Sequence, residues 1–406
     1  MMRQIVIIPF RAAATILLVC VVALCVTGVS PIFRFSDPEP FSGPDIFNPY
    51  STLDTLNGWK RANFHTHTRV ESIFNECDYT AEEALRQYRR FGYDIVTFSN
   101  HQRLTPHPED TALQVNVYEH GYNLFKFHKL VFGSTGVNRF DNILPLLISQ
   151  KQWQLDYLSK EANFVQMNHP LRTVGTSFRE MSRLGSYRII ELDSGMDTEQ
   201  EYWDWALSAG HYSFGLANDD LHHLDRSDCF AVRCNWINTP SAGYGDLKDA
   251  LLSGRYFSMR VPDFGSGDWD VKLEENRHLP MVVDIGAVGD SLYIELSCPA
   301  REIKLTGDGH RLTGSATGTD SFGCRMNPSD SYARFTVYFD NGVVIYSNPF
   351  ARYDSKVSDS PYKVAEHHVD VMLTILYNFA LALLAALCAI AIVRLWHKDV
   401  KLVGKE

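Results

Sequence analysis

Two unbroken apolar runs bracket the chain, and between them the hydrophobic positions follow two different rhythms. The first run covers residues 12–29, AAATILLVCVVALCVTGV, with Arg3 and Arg11 ahead of it. At about 1.5 Å per residue it nearly crosses a bilayer core, as an uncleaved anchor or as a cleaved signal peptide. The absence of an Ala-x-Ala site after it favours the anchor. The second run, Val371 to Val393, carries no charge and is followed by Arg394, Lys398, Lys401 and Lys405. Positive charge beside both runs, on their outer sides, predicts cytoplasmic termini and an extracytoplasmic, periplasmic segment between them.

Residues 32–58 are rich in Pro, Ser, Asp and Gly and predict a linker or strap. From 59 to 262 short apolar runs alternate with amphipathic stretches. Tyr93–Ser99, Phe164–Met167, Arg188–Leu192 and Tyr212–Ala217 read as buried strands. Thr80–Phe91, opening on a capping-box TAEE, and Glu199–Ala209 read as helices. Alternating strands and helices predict an α/β sheet or barrel. From 263 to 355 the rhythm changes to period two. Ser291–Ser297 alternates, and Arg334–Phe339 and Val343–Tyr346 flank an Asp-Asn-Gly turn. That pattern predicts a small antiparallel β-domain containing a hairpin. Residues 356–370 read as a second linker, residues 371–393 as a transmembrane helix and 394–406 as a basic cytoplasmic tail. The first 31 residues form the N-terminal membrane segment.

Composition changes this picture in one respect. The 406 residues are 45% hydrophobic and 21% charged, which is globular, and the net charge of -10 argues against a nucleic-acid channel. Five of eight cysteines lie outside the apolar runs, and Cys298 with Cys324 could form a bridge in an oxidising compartment.

The candidate chemistry is in the histidines. Ten of fifteen fall between His65 and His223. Asn63-Phe-His65-Thr-His67-Thr places two imidazoles two residues apart, on one face of an extended chain. His101 closes the strand IVTF, His169 closes FVQM, and Asp220 and His222 follow SFGLA. Glu119 is followed by His128. Nitrogen and oxygen ligands therefore recur just after strands, where barrel-like α/β folds build their sites. Neutral imidazole with carboxylate suits Zn, Mn or Fe. Arg172 and Arg103, close behind His169 and His101, are placed to grip phosphate oxygens. Glu191 reads as a buried structural acid or as a support for a ligand, with the structural role favoured. Asp219 reads as a support, and His223 as facing away.

In their order, HTHT, the strand-closing His, Glu with a following His, NHP and ANDDLH resemble the PHP family, named for polymerase and histidinol phosphatase. The resemblance covers residues 59–262 and includes the flanks GWKRANFHTHT and DLKDALLSGRYF. It implies a distorted (β/α)7 barrel, two or three divalent ions, and hydrolysis of phosphoesters. It implies one ion on His65, His67, Glu119 and Asp220. Glu119 would bridge to a second on His128 and His169, and His101 and His222 would hold a third. Two positions depart from the family. Asn100 stands where the family has Asp, and Ser72 stands where it places an acid, leaving Glu71 or Asp78 as substitutes.

The expected function is a membrane-tethered, metal-dependent phosphoesterase acting on a small-molecule or lipid-linked phosphoester. The alternatives are a non-enzymatic, metal-stabilised binding ectodomain and, third, a nuclease. The sequence leaves open the substrate, the choice between mono- and diester, and the metal.

Overall fold

A computed structural model describes residues 2–54, 58–72, 75–192, 200–364 and 366–403. The expected helix start at Glu199, Ile73 and Phe74 of the segment after the HTHT motif, and Lys405 of the tail lie outside the described residues.

The chain runs α1 (Met2–Thr27), β1 (Phe33–Phe35), β2 (Asp45–Phe47), β3 (Trp59–Asn63), α2 (Ala81–Arg90), β4 (Ile95–Val96), β5 (Val117–His120), β6 (Lys129–Phe132) and α3 (Ile148–Glu161). It continues through β7 (Phe164–Met167), α4 (Phe178–Met181), β8 (Ile189–Leu192), α5 (Gln200–Ser208), β9 (Phe214–Ala217), β10 (Arg233–Asn238), α6 (Tyr244–Ser253) and β11 (Tyr256–Arg260). Then come α7 (Trp269–Asn276), β12 (Val282–Val288), β13 (Ser291–Gly307), β14 (Arg311–Arg325), β15 (Tyr332–Tyr338), β16 (Val344–Ser347), β17 (Phe350–Tyr353), β18 (His367–Val369) and α8 (Val371–Val403).

The fold is mixed α/β. One sheet runs β5-β6-β7-β8-β9, parallel between β7, β8 and β9 and antiparallel before them. A larger mixed sheet runs β12-β13-β15-β16-β11-β10-β3-β4, with β14, β17 and β2 attached. The closed (β/α)7 barrel is not found among the described residues, and the reason is local. Between β4 and β5 the main-chain ladder is reduced to one bridge, His101 with Glu119. Between β9 and β10 a side chain replaces it: the Asn235 amide accepts from Ala217 N and donates to Ala217 O, both at 2.9 Å. The two sheets meet along these seams without a continuous ladder.

The local signals hold well. Thr80 Oγ1 accepts from Glu83 N while Thr80 N donates to the Glu83 carboxylate at 2.7 Å, so α2 starts at its capping box. The expected hairpin forms between β15 and β16, with Gly342 at φ +86°, a turn conformation that glycine adopts without strain. The antiparallel strands β12–β17 are continuous with the larger sheet, because β16 pairs with β11. Strand β15 is also tied to α5. Fully buried Arg334 forks onto Asp204, with Nε to Oδ1 at 2.8 Å and Nη2 to Oδ2 at 2.5 Å. Tyr332 donates to the same carboxylate at 2.9 Å, and His310 also reaches it.

One expectation is corrected. Cys298 and Cys324 are both free. Cys324 lies opposite Leu292 in the β13–β14 ladder, six residues from Cys298 and so about 20 Å along the strand, far beyond disulfide reach. The two linker segments are joined, since β1 from the first pairs antiparallel with β18 from the second. That ribbon leads into α1 and α8, whose apolar windows Ile8–Thr27 and Val371–His397 are only 6% buried. A core helix of a soluble protein would be mostly covered, so length, composition and exposure together make these two helices candidate membrane spans. Polar groups join them at one end. Asn378 exchanges hydrogen bonds with Ser30 at 3.2 and 2.9 Å, and Thr374 Oγ1 accepts from Ile32 N at 2.8 Å.

Candidate metal centre

The HTHT segment leaves β3 and is held by the ends of neighbouring strands. Asn218 Oδ1 accepts from Phe64 N at 3.0 Å, Ser99 Oγ accepts from Thr66 N at 3.2 Å, and Leu221 O accepts from His67 N at 3.0 Å. Asn100 accepts from Thr68 N and donates to the Thr68 and Thr105 hydroxyls. The amide at position 100 therefore fastens the histidine loop. These bonds fix the extended backbone, so His65 and His67 project to the same side.

Both imidazoles converge on two carboxylates. His65 Nε2 lies 3.2 Å from Glu119 Oε2 and 3.1 Å from Asp220 Oδ1. His67 Nε2 lies 3.0 and 3.3 Å from the same two oxygens, and the two Nε2 atoms are 3.3 Å apart. A tetrahedral ion with bonds of about 2.0–2.1 Å needs ligand–ligand edges of about 3.3–3.4 Å. Five of the six edges here measure 3.0–3.3 Å, so these four donors fit a divalent cation in both type and spacing.

Glu119 faces two ways. Its Oε2 also meets His101 Nε2 at 3.2 Å. Its Oε1 meets His128 Nδ1 at 3.2 Å, His169 Nε2 at 3.5 Å and the Asn168 amide at 2.9 Å. His101, Glu119 and His128 form a second group that could hold a metal, and His67, Glu76 and His222 form a third. Glu76 replaces the two acids expected from the sequence: Glu71 and Asp78 are exposed, whereas Glu76 Oε2 lies 3.5 Å from His101 and 3.7 Å from His222. It sits in an aperiodic segment, where no hydrophobic rhythm fixes the register.

One further assignment changes, that of Glu191, while Asp219 acts as the support expected of it. Glu191 is fully buried and does more than fill space. Its Oε1 receives His65 Nδ1 at 2.8 Å and its Oε2 accepts from His169 N at 3.1 Å. That bond sets the tautomer and aims Nε2 of His65 at the cluster. Asp219 accepts from Tyr88 OH and from the backbone of Ala231, Val232 and Arg233, which anchors the loop behind Asp220. Arg172 Nη1 pairs with Asp220 Oδ2, whereas Arg103 is exposed and His223 points to the rim.

The buried imidazoles and carboxylates shift one another's titration strongly. Burial alone would depress the His67 pKa, but hydrogen bonds and charge from Asp220 and Glu119 raise it to about 9. His65 is likewise raised, with the carboxylates overcoming burial. Burial opposes ionisation of Glu119 and Asp220, yet the surrounding imidazoles hold both well below the usual carboxylate range. Two of the residues here carry left-handed backbones, His169 at φ +26° and Asp220 at φ +49°, a strain that surrounding bonds must maintain.

A cleft of about 400 Å³ opens beside Asp220 and His222, lined also by Glu76, Lys126, Arg172 and Arg233. The Lys126 side chain is exposed at its edge.

No protein-family model matches the sequence, and no curated protein matches it. The structure is similar to the crystal structure of a two-domain protein from Bacteroides vulgatus ATCC 8482 that contains a predicted PHP-like metal-dependent phosphoesterase. The alignment covers 78% of this chain and 100% of that chain, at 15% identity and a TM-score of 0.37. A likeness at that level fixes neither fold nor activity.

Proposed function

We propose that this chain is a metal-dependent phosphoesterase whose ions sit on His65, His67, Glu119 and Asp220, on His128 and His169 at the other oxygen of Glu119, and on His101 and His222 with Glu76. The observation that carries the reading is Glu119. One buried carboxylate divides its two oxygens between two sets of histidines, the arrangement needed to share a ligand between neighbouring cations. The order of motifs, which resembles the PHP family, supports the same reading.

When bound, such ions supply Lewis acidity toward a phosphoryl oxygen and lower the pKa of water. The chain supplies position. Glu191 and the Asn100 amide hold the histidine loop. Arg172 steadies Asp220 and turns its remaining N–H groups to the cleft, where Lys126 adds a second cation for the phosphoryl oxygens. In the reaction water forms the new P–O bond, the ester P–O bond breaks, and the leaving alkoxide takes up a proton. No side-chain nucleophile is required. The membrane tether is part of the proposal, with the ectodomain periplasmic.

The test uses the full chain in detergent, supplied separately with Mn, Zn and Fe. Turnover of p-nitrophenyl phosphate or bis(p-nitrophenyl) phosphate is followed beside a His65→Ala control. Metal-dependent turnover that disappears in the control is the expected result. A folded, metal-loaded protein that hydrolyses neither ester would replace this reading with the metal-stabilised binding ectodomain.

A further inference from the structure

Six large apolar side chains are exposed on the loops around the metal centre and at the start of α4: Tyr122, Leu124, Phe140, Leu146, Val174 and Phe178. Leu124 and Leu146 are 69% and 67% exposed, and Phe178 is 56% exposed. Scattered apolar residues on a surface need no explanation, but these belong to one structure. Leu124 N donates to Ile143 O at 3.0 Å, Val174 N to Phe125 O at 2.8 Å, and Tyr122 N to the Asp141 carboxylate at 2.8 Å. Lys151 at the start of α3 pairs with Glu180 of α4 at 2.6 Å, which holds Phe178 in the same collar.

The collar is continuous with both the site and the apolar helices. Leu124 lies four residues before His128, and Val174 five after His169. The Tyr122 ring packs against His101 at 4.9 Å, tilted by 34°. On the other side, the Asn142 amide bonds to Thr27 O at the end of α1. Gln150 Nε2 bonds to Gly28 O at 2.8 Å and to the Tyr377 hydroxyl of α8 at 3.2 Å, while Ser149 Oγ accepts from Phe33 N. Helix α3 explains why. It precedes β7 by two residues and so runs back along it, and its first turn lies at the strand-end face that carries His169. The point where both apolar helices leave the folded body is therefore level with the mouth of the metal centre.

We propose that this collar rests in the interface of the bilayer entered by α1 and α8, and that the site takes its phosphoester from a membrane amphiphile, a lipid headgroup, rather than from solution. Apolar side chains beside a basic residue such as Lys126 suit a surface of acyl chains and anionic headgroups. The substrate class rests on the phosphoesterase reading; the docking of the collar does not.

Two measurements separate them. In the first, the full chain is placed in phosphatidylcholine vesicles containing a lipid with a diazirine near its headgroup. After illumination the labelled peptides are mapped. Labels in 121–127, 140–148 and 173–179 are expected. Labels confined to 8–27 and 371–397 would overturn the docking. In the second, turnover is compared for phosphatidic acid in vesicles and glycerol 3-phosphate, and for phosphatidylglycerol in vesicles and glycerophosphoglycerol. The variant L124S/L146S/F178S should lose at least about tenfold on the vesicle substrate, since three apolar side chains leave the lipid. It should keep its turnover of p-nitrophenyl phosphate. Equal loss on both, or no loss on vesicles, would overturn the lipid substrate and leave the phosphoesterase standing. No turnover of any ester by the wild type would end both readings of the chemistry, and the label map would still decide the docking.

Discussion

Two buried ionic constellations in this molecule look alike in composition and differ in what they lack. At α5 and β15, Asp204 is met by the guanidinium of Arg334, the hydroxyl of Tyr332 and His310. Its charge is balanced by a permanent cation already in the chain. At the strand ends, Glu119 and Asp220 are met mainly by the Nε2 atoms of His65 and His67, and Asp220 additionally by Arg172. A guanidinium closes a site, whereas imidazole lone pairs leave room for a cation to arrive. The first constellation fastens a helix to a sheet. The second gathers donors that could hold a metal ion.

The largest test of this contrast is Asp220→Ala. It should lower metal-supported phosphoester turnover by about a thousandfold or more, because a ligand and its charge are lost together. The protein should still fold, as judged by circular dichroism. Turnover within a few-fold of wild type would remove Asp220 from the centre.

Arg334→Met should do the reverse. It strands a buried carboxylate and costs about 3–5 kcal/mol of stability in urea melts, with little change in activity per folded molecule. The same network gives a pH signature. Burial opposes ionisation of Asp204, but Arg334 and His310 hold its carboxyl below 3.8 in the folded chain. Its contribution to stability is therefore present above about 3.8, the unfolded value, and is lost as pH falls through the folded value. In Arg334→Met this loss on acidification should shrink or vanish, because protonation then relieves the stranded carboxylate. An unchanged loss would show that the guanidinium does not govern Asp204.

Smaller effects follow around the metal centre. Glu191→Gln keeps the shape but weakens the hold on His65 Nδ1. Metal affinity should fall about 10- to 100-fold, read by competition with a chromophoric chelator. Glu76→Gln should have the smallest effect, under about tenfold and confined to the weakest ion, because Glu76 is half-exposed and stands 3.5–3.7 Å from its histidines. An effect of Glu76→Gln exceeding that of Glu191→Gln would invert the order of importance argued here.

What the sequence made legible was local. Histidines that close apolar strands could be assigned because strand rhythm and ligand type sit within a few residues of one another, and the structure brings His65, His67, His101, Glu119, His128, His169, Asp220 and His222 to one face. Glu76 escaped because its segment has no rhythm to count from. For Glu191 the sequence favours a structural role over support of a ligand, because its partner His65 lies 126 residues away. The pairing of Asp204 with Arg334, 130 residues apart, left no mark in either local pattern. The open seams of the sheet were hidden for a similar reason. Asn235 looks like any polar strand residue until its amide is found standing in for a ladder.

The central claim is that Glu119 is shared between cations, and metal content tests it most directly. Full-length wild type and Glu119→Gln would be loaded with Mn, Zn or Fe, freed of excess ion and measured by elemental analysis. The wild type should retain about two or more ions per chain. The folded variant should retain at least one fewer. A variant with the wild-type metal content, or a folded wild type that retains no ion, would contradict the account.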